Sequence, residues 1–296
     1  MKVFLTGATG FIGTALIQEL MGAGHTVLGL ARSEEGAKKL KDAGAKVHMG
    51  NLEDLESLRT GAKESDGIIH AGFIHDFSRF AEVCAVDKLA IETMGEVLKG
   101  SNRPFVVTSG TALISPGVVA TEDMKPHDNP NFPRVSEQTG NSFSEQGVRT
   151  ATIRLSPSVH GLGDHHGFIP MLINIAREKG KSAYIGEGLN RWNAVNRMDA
   201  VQVYRLALEL GKSGSAYHAV GEEGITLKAI AECIGRKLNL PVESISQEKA
   251  AEHFGWFTGF AGIDCPASNK ITRETLHWEP THSSLLEDME SGVYFN

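Results

Sequence analysis

The chain has 296 residues and a formal net charge of −7, and 41% of its residues are apolar. That length holds one large domain or two small ones, and interspersed acidic and basic residues argue against nucleic acid as the main partner. No apolar run is long enough to span a bilayer. The three cysteines, Cys84, Cys233 and Cys265, form no C-x-x-C pair, which fits free thiols in a reducing cytoplasm.

The first strand, Lys2-Val3-Phe4-Leu5, begins at residue 2 and leaves no room for a signal peptide. It runs into Thr6-Gly7-Ala8-Thr9-Gly10-Phe11-Ile12-Gly13, and the residues from Thr14 to Leu20 carry a helical apolar period. Three glycines spaced G-x-x-G-x-x-G therefore stand between a buried strand and a helix. Glycine lets the backbone turn tightly and approach a pyrophosphate, and the helix N-terminus supplies free N–H groups and partial positive charge. Gly7, Thr9, Gly10, Phe11, Ile12 and Gly13 are candidate cofactor contacts.

Further strands are predicted at His25–Leu30, Lys46–Met49, Gly67–His70, Pro104–Thr108 and Thr150–Leu155, with helices between them such as 78–98 and 136–146. This alternation predicts the α/β class: a doubly wound parallel (Rossmann) sheet with helices on both faces. From about Gly161 the pattern loosens. Helices Phe168–Lys179 and Leu227–Leu238 alternate with short extended pieces such as Ala183–Ile185. The expected division is a dinucleotide-binding domain over 1–160 and a smaller α/β substrate lobe over 161–296, intertwined with the first.

Strand two ends at Ala31, where NAD-preferring folds carry a carboxylate for the ribose 2′-OH. Arg32 and Ser33 follow, and a guanidinium with a hydroxyl can fork a 2′-phosphate. This predicts NADP(H) as cofactor; the alternative is that Arg32 is a surface charge at a strand end.

The T-G-x-x-G-x-x-G spacing resembles the extended and atypical short-chain dehydrogenase/reductases, of the NAD-dependent epimerase/dehydratase kind, over nearly the whole chain. The resemblance implies that the second half forms a substrate-binding lobe over the nicotinamide. Gly50-Asn51-Leu52 matches the family's Gly-Asp-Leu, whose carboxylate meets the adenine; Asn51 keeps an acceptor and loses the charge. His70-Ala71-Gly72-Phe73 makes Ala71 and Gly72 cofactor contacts, while His70 is either a contact or a strand-end residue without a role.

Thr108-Ser109-Gly110-Thr111 matches the hydroxyl cluster after strand five. There Thr108 is expected to touch the cofactor, and Ser109 or Thr111 to bond a substrate oxygen. The alternative is a turn whose hydroxyls cap the backbone. Arg154-Leu155-Ser156-Pro157-Ser158-Val159-His160-Gly161 resembles Arg-Pro-x-x-Val-Tyr-Gly, which makes Pro157, Ser158 and Val159 nicotinamide contacts and puts His160 in place of a tyrosine. His160, His165 and His166, with Asp164 nearby, read as a proton donor or as plain loop residues. Their spacing matches no helical i, i+4 pair, and no metal is expected. Trp192, Asn196 and Arg197 lie in a segment that lines the family's substrate pocket. His253–Phe260 reads as a pocket wall or as packed core.

The chain departs from the family at its catalytic pair, Tyr-x-x-x-Lys. Those positions hold Pro133 and Glu137, and no tyrosine precedes Tyr184. Two classes of function follow. One is an NADP-dependent oxidoreductase that reduces a carbonyl-type group of a small, partly apolar molecule. The other is an NADP(H)-binding sensor or regulatory protein without turnover. An epimerase or dehydratase would need the absent tyrosine as base. The expected partner is a small-molecule substrate, with no nucleic acid or membrane; the expected state is a monomer or homodimer.

Overall fold

The computed structural model describes residues 1–114, 116–126 and 133–295. Its first half alternates strand and helix: β1 (Lys2–Thr6), α1 (Phe11–Gly22), β2 (Thr26–Ala31), α2 (Glu34–Asp42), β3 (Lys46–Met49), α3 (Leu55–Lys63), β4 (Gly67–His70), α4 (Phe80–Leu98), β5 (Pro104–Gly110), α5 (Ser136–Asn141) and β6 (Arg149–Leu155). The second half adds β7 (Ser158–His160), α6 (Phe168–Lys179), β8 (Ser182–Ile185), β9 (Arg191–Asn196), α7 (Arg197–Leu210), β10 (Ser215–Ala219), β11 (Glu222–Thr226), α8 (Leu227–Leu238), β12 (Val242–Ile245), α9 (Gln247–Phe254), α10 (Thr258–Gly262), α11 (Lys270–Leu276) and α12 (Leu285–Glu290).

Seven strands form a parallel sheet in the order β3-β2-β1-β4-β5-β6-β10. Its central strands are apolar on both faces, as strands covered by helices on both sides must be. One face packs against α1, α2 and α7 around Leu16, Leu20, Tyr204 and Leu208. The other packs against α3, α4 and the α5 segment around Leu58, Ile91, Met94, Leu98 and Phe143. Helix α4 has no side-chain N-cap but buries Ile91, Met94 and Leu98 completely. At about 1.5–3 kcal/mol for each such side chain, its apolar face rather than its ends holds it in place. The order reverses between β1 and β4, which opens a crevice at their C-terminal ends.

The lobe is built on a three-stranded sheet, β11-β9-β7, and a two-stranded one, β12-β8. Its core gathers Ile169, Ile173, Trp192, Ile230, Phe257 and Leu285. The two halves of the chain interleave, because β10 forms an edge of the large sheet and α7 packs on its face.

Three local features differ from the sequence reading. Strand β5 continues to Gly110, because Ser109 and Gly110 pair with Arg154 and Leu155. The helix expected over 136–146 stops at Asn141 and resumes as a 3-10 turn over Ser144–Gln146. Ser142 Oγ donates to the Thr139 carbonyl at 2.8 Å, which competes with helix bonding. Strand β10, Ser-Ala-Tyr-His-Ala, lacks a strong strand pattern and forms by pairing with β6 at the sheet edge.

One consequence of register positions the site. Thr6 pairs with His70, Ser109 with Arg154, and Arg154 with His218, so a polar row crosses the C-terminal edge of the sheet.

Candidate dinucleotide and substrate site

The glycine turn is built by close backbone approach. Gly7 has φ +69°, and Gly10 N–H donates to its carbonyl at 3.0 Å. A Cβ on Gly13 would lie 2.0 Å from the Gly7 oxygen, and one on Gly7 would lie 2.6 Å from the Ala71 oxygen. Only glycine lets the turn fold onto α1 and let β4 pass behind it. Helix α1 starts from Gly10 with no side-chain cap and no acidic residue in its first turn. By contrast Ser33 caps α2 and Asp54 caps α3. The open N–H groups at Phe11, Ile12 and Gly13 suit the pyrophosphate of a dinucleotide. Arg197 stands beside them: Nη1 donates to the Phe11 carbonyl at 3.3 Å, and the guanidinium lies 4.6 Å from the Phe11 ring centroid. A cation held against the positive end of a helix favours an anion between the two.

The side expected to take the adenosine is bounded by Thr9, Ala31 and Ser33, which meet around Gly36. A Cβ there would lie 3.3 Å from Thr9 Cγ2, 3.4 Å from Ser33 Oγ and 3.6 Å from Ala31 Cβ. Arg32 and Ser33 are exposed, and Ser33 Oγ accepts from Gly36 N–H, which leaves its hydroxyl proton for a ligand. Leu52 packs beside Gly72. Asn51 corrects an expectation: its Oδ1 accepts from the Glu53 and Asp54 N–H groups at 2.8 and 3.0 Å. Its acceptor closes the local turn, so the group it can offer to adenine is its amide N–H.

Behind the crevice runs a buried hydrogen-bonded chain. Gly72 N–H donates to Thr6 Oγ1 at 3.1 Å, and Thr6 Oγ1 lies 2.8 Å from His70 Nδ1. The threonine proton therefore goes to Nδ1, and Nε2–H of His70 donates to Asp87 Oδ1 at 3.1 Å. Ser136 Oγ donates to the other Asp87 oxygen at 2.5 Å, and Arg134 Nε donates to Ser136 Oγ at 3.2 Å. Burial works against the Asp87 carboxylate, but the His70 hydrogen bond, with Arg134 and Ser136, holds its pKa below the ordinary value. His70 thus links the nucleotide turn to α4 and α5. Arg134 ends the chain: Nη2 reaches the Thr108 carbonyl at 3.4 Å, and the guanidinium lies 4.3 Å from the Phe73 ring centroid.

The hydroxyl cluster separates into three roles. Thr108 Oγ1 donates to the His70 carbonyl at 2.7 Å and takes the Tyr204 hydroxyl at 2.8 Å, so it ties β5 to β4 and α7 and does not face a cofactor. Burial pushes the Tyr204 pKa well up, which keeps that phenol neutral. Thr111 is 1% exposed, donates to the Leu155 carbonyl and accepts from Asn193 Nδ2 at 3.0 Å, so it joins β5 to β9 and is not catalytic. Ser109 is buried next to Arg154, and among the described residues no partner bonds its hydroxyl. Ser109 is the member left for chemistry.

Glu137, at the position that the resemblance assigns to the family's lysine, is not an empty slot. Arg154 donates to it from Nε at 2.9 Å and from Nη2 at 2.6 Å, with both side chains buried. The same guanidinium donates to the Glu122 and Met124 carbonyls and, at 3.1 Å, to His218 Nε2.

After β6, Pro157 and Val159 are half-buried and Ser158 is 2% exposed. His160 corrects another expectation. It is fully buried, with Nδ1 at 2.6 Å from Asp288 Oδ2 and Nε2 at 4.0 Å from Glu222. It pins α12 to β7 and cannot meet a substrate. His165 and His166 stay exposed on the loop that follows. In that loop burial raises the Asp164 pKa although Gly167 N–H and the Tyr294 hydroxyl donate to it. Trp192 is core, donating to the Phe260 carbonyl, and Asn196 caps α7. Among the described residues no group of three His, Cys, Asp or Glu could hold a metal ion.

Sequence reasoning missed Arg134, Asp87 and Tyr294. A cation one residue beyond the missing tyrosine was a signal for the first. An aspartate on the apolar face of a helix was a signal for the second. Nothing local marked the third, which loop packing brings to Gly161 and Asp164.

Comparison with known proteins gives the family and the fold. The chain is 49% identical to protein C2A9.02 of Schizosaccharomyces pombe over the full length of both. It is 26% identical to the 4-hydroxy-2-methyl-3-oxo-4-farnesyl-3,4-dihydroquinoline-1-oxide ketoreductase of Stigmatella aurantiaca, over 86% of this chain and 80% of that one. The fold matches DesIV, a dTDP-glucose 4,6-dehydratase from Streptomyces venezuelae solved with NAD and TYD bound. The TM-score is 0.77 at 17% identity, over 99% of this chain and 96% of that one. The NAD dependent epimerase/dehydratase family model matches residues 3–220, and the chain belongs to that family.

Proposed function

We propose that this protein is an NADP(H)-dependent oxidoreductase that reduces a carbonyl-type group of a small molecule. The observation that carries the reading is the uncapped N-terminus of α1, facing the β4 end, with a hydroxyl without a partner and a guanidinium at the end of β5. Gly7, Gly10, Phe11, Ile12 and Gly13 would hold the pyrophosphate, and Arg32 and Ser33 the 2′-phosphate. When bound, NADPH would supply the hydride for the carbonyl carbon, and water the proton for its oxygen. Ser109 donates to the oxygen as negative charge develops there, which is the kind of interaction that lowers such barriers most. The ketoreductase activity named for the Stigmatella relative supports this class of reaction.

One observation favours a second reading. The Glu137–Arg154 pair fills the family's lysine position with a structural contact, as a dinucleotide-binding sensor without turnover would allow. Two measurements separate the readings: calorimetric titration with NADPH, and NADPH consumption across a panel of aldehydes, ketones and imines. Tight binding with no consumption on any carbonyl favours the sensor. Absence of binding removes both.

A further inference from the structure

We propose that Arg134 anchors the carboxylate of the substrate, which makes the substrate a 2-oxo acid. The inference rests on the reductase reading above and adds to it the class of molecule reduced. Arg134 is held rigidly: Nε donates to Ser136, Nη2 reaches the Thr108 carbonyl, and the guanidinium stacks on Phe73. Its Nη1 makes no hydrogen bond to a described residue, and no described carboxylate forms an ion pair with it. Asp87, the nearest acid in this chain of contacts, is already filled by His70 and Ser136. A guanidinium fixed this way loses little freedom when it binds, and its planar fork matches a carboxylate.

Position selects the 2-oxo acid. Arg134 touches the carbonyl of Thr108, and the next residue is Ser109, whose hydroxyl is the donor left for a substrate oxygen. A ligand held by both needs an anion and a carbonyl oxygen on neighbouring atoms, and a 2-oxo acid has them on adjacent carbons. A carboxylate presents two oxygens in one plane, which is the shape that a guanidinium fork takes.

The test uses the full chain with NADPH and two acid–ester pairs: pyruvate with methyl pyruvate, and phenylglyoxylate with methyl phenylglyoxylate. The acid should exceed its ester at least tenfold in kcat/KM in one pair or both. Arg134→Met should erase that preference, Arg134→Lys should keep part of it, and neither should change NADPH affinity more than about threefold. Esters equal to acids in both pairs, with NADPH bound, would overturn the proposal and leave the reductase reading standing. So would equal losses on acid and ester in Arg134→Met, or a tenfold loss of NADPH affinity, which would make Arg134 a cofactor ligand. If NADPH does not bind at all, the reductase reading fails. The anion site is then decided by whether phenylglyoxylate raises the Tm of the free chain and Arg134→Met abolishes the rise.

Discussion

Glu137 and Arg154 form a bidentate pair, 2.9 and 2.6 Å long, at the position that the sequence resemblance assigns to the family's catalytic lysine. Both side chains are buried. The loss of the lysine is therefore a replacement: a carboxylate that organises the end of β6 and the segment carrying Glu122 and Met124, through the carbonyls that Arg154 also binds.

Restoring the family pair should then fail for a physical reason. Glu137→Lys places an ammonium against a buried guanidinium. Removing one partner of such a pair costs about 3–5 kcal/mol, and reversing its charge costs more. We expect Pro133→Tyr with Glu137→Lys to lower Tm sharply or prevent folding, and Glu137→Gln to be milder. A double variant with wild-type Tm by calorimetry would show that the pair is dispensable.

The two candidate hydroxyls should separate by kind of defect. Ser109→Ala should lower kcat by roughly ten- to a thousandfold with unchanged Tm, the scale of losing one donor to a developing oxyanion. Thr111→Val should leave Asn193 short of a buried partner and cost about 1–3 kcal/mol of stability, with kcat retained in the folded fraction. Urea titration beside steady-state kinetics reads both. The reverse pattern would exchange their roles.

Much of this architecture was legible along the chain because its signals are local. The glycine turn, the buried strands from Lys2 to Leu155 and helices such as α6 and α8 follow from backbone sterics and apolar period. The cofactor half of the site was legible for the same reason, since Gly7, Gly10 and Gly13 act through their own backbone. The substrate half depends on partners far apart in sequence. Thr111 reads as a reactive hydroxyl until Asn193 meets it, and His160 reads as a loop histidine until Asp288 does. Arg134 gains its meaning from Phe73, Ser136 and Thr108 together.

Two arginines near the dinucleotide crevice should respond differently to a change of cofactor. Arg32 follows the strand end where the 2′-phosphate of NADP would lie, and Arg197 stands at the N-terminus of α1. We expect NADPH to bind at least about tenfold tighter than NADH, about 1.4 kcal/mol, and Arg32→Ala to remove that gap. Arg197→Met should weaken both cofactors alike, because both carry the pyrophosphate. Calorimetric titration of the two variants with the two cofactors provides the comparison. An Arg197 variant that loses NADPH alone would place that residue at the wrong end of the molecule.

His218 should set part of the acid sensitivity of the fold. Burial first, and the Arg154 charge second, push its pKa from 6.5 down to about 3. Arg154 Nη1 donates to Nε2, so the proton sits on Nδ1 and goes to the Ser268 carbonyl at 2.7 Å. Between pH 6.5 and 3 the unfolded chain takes up a proton that the folded chain refuses. The contribution of this group is thus fully present above pH 6.5 and is lost as pH falls toward 3, at about 1.4 kcal/mol per unit. From pH 7 to pH 5 the loss is about 2 kcal/mol for this one group. His218→Gln keeps an acceptor for Arg154 and a donor for Ser268 but cannot titrate. Urea unfolding at both pH values should show the wild type losing about 2 kcal/mol more than the variant. Equal losses would mean that His218 is protonated in the folded state, and that Arg154 does not hold it neutral.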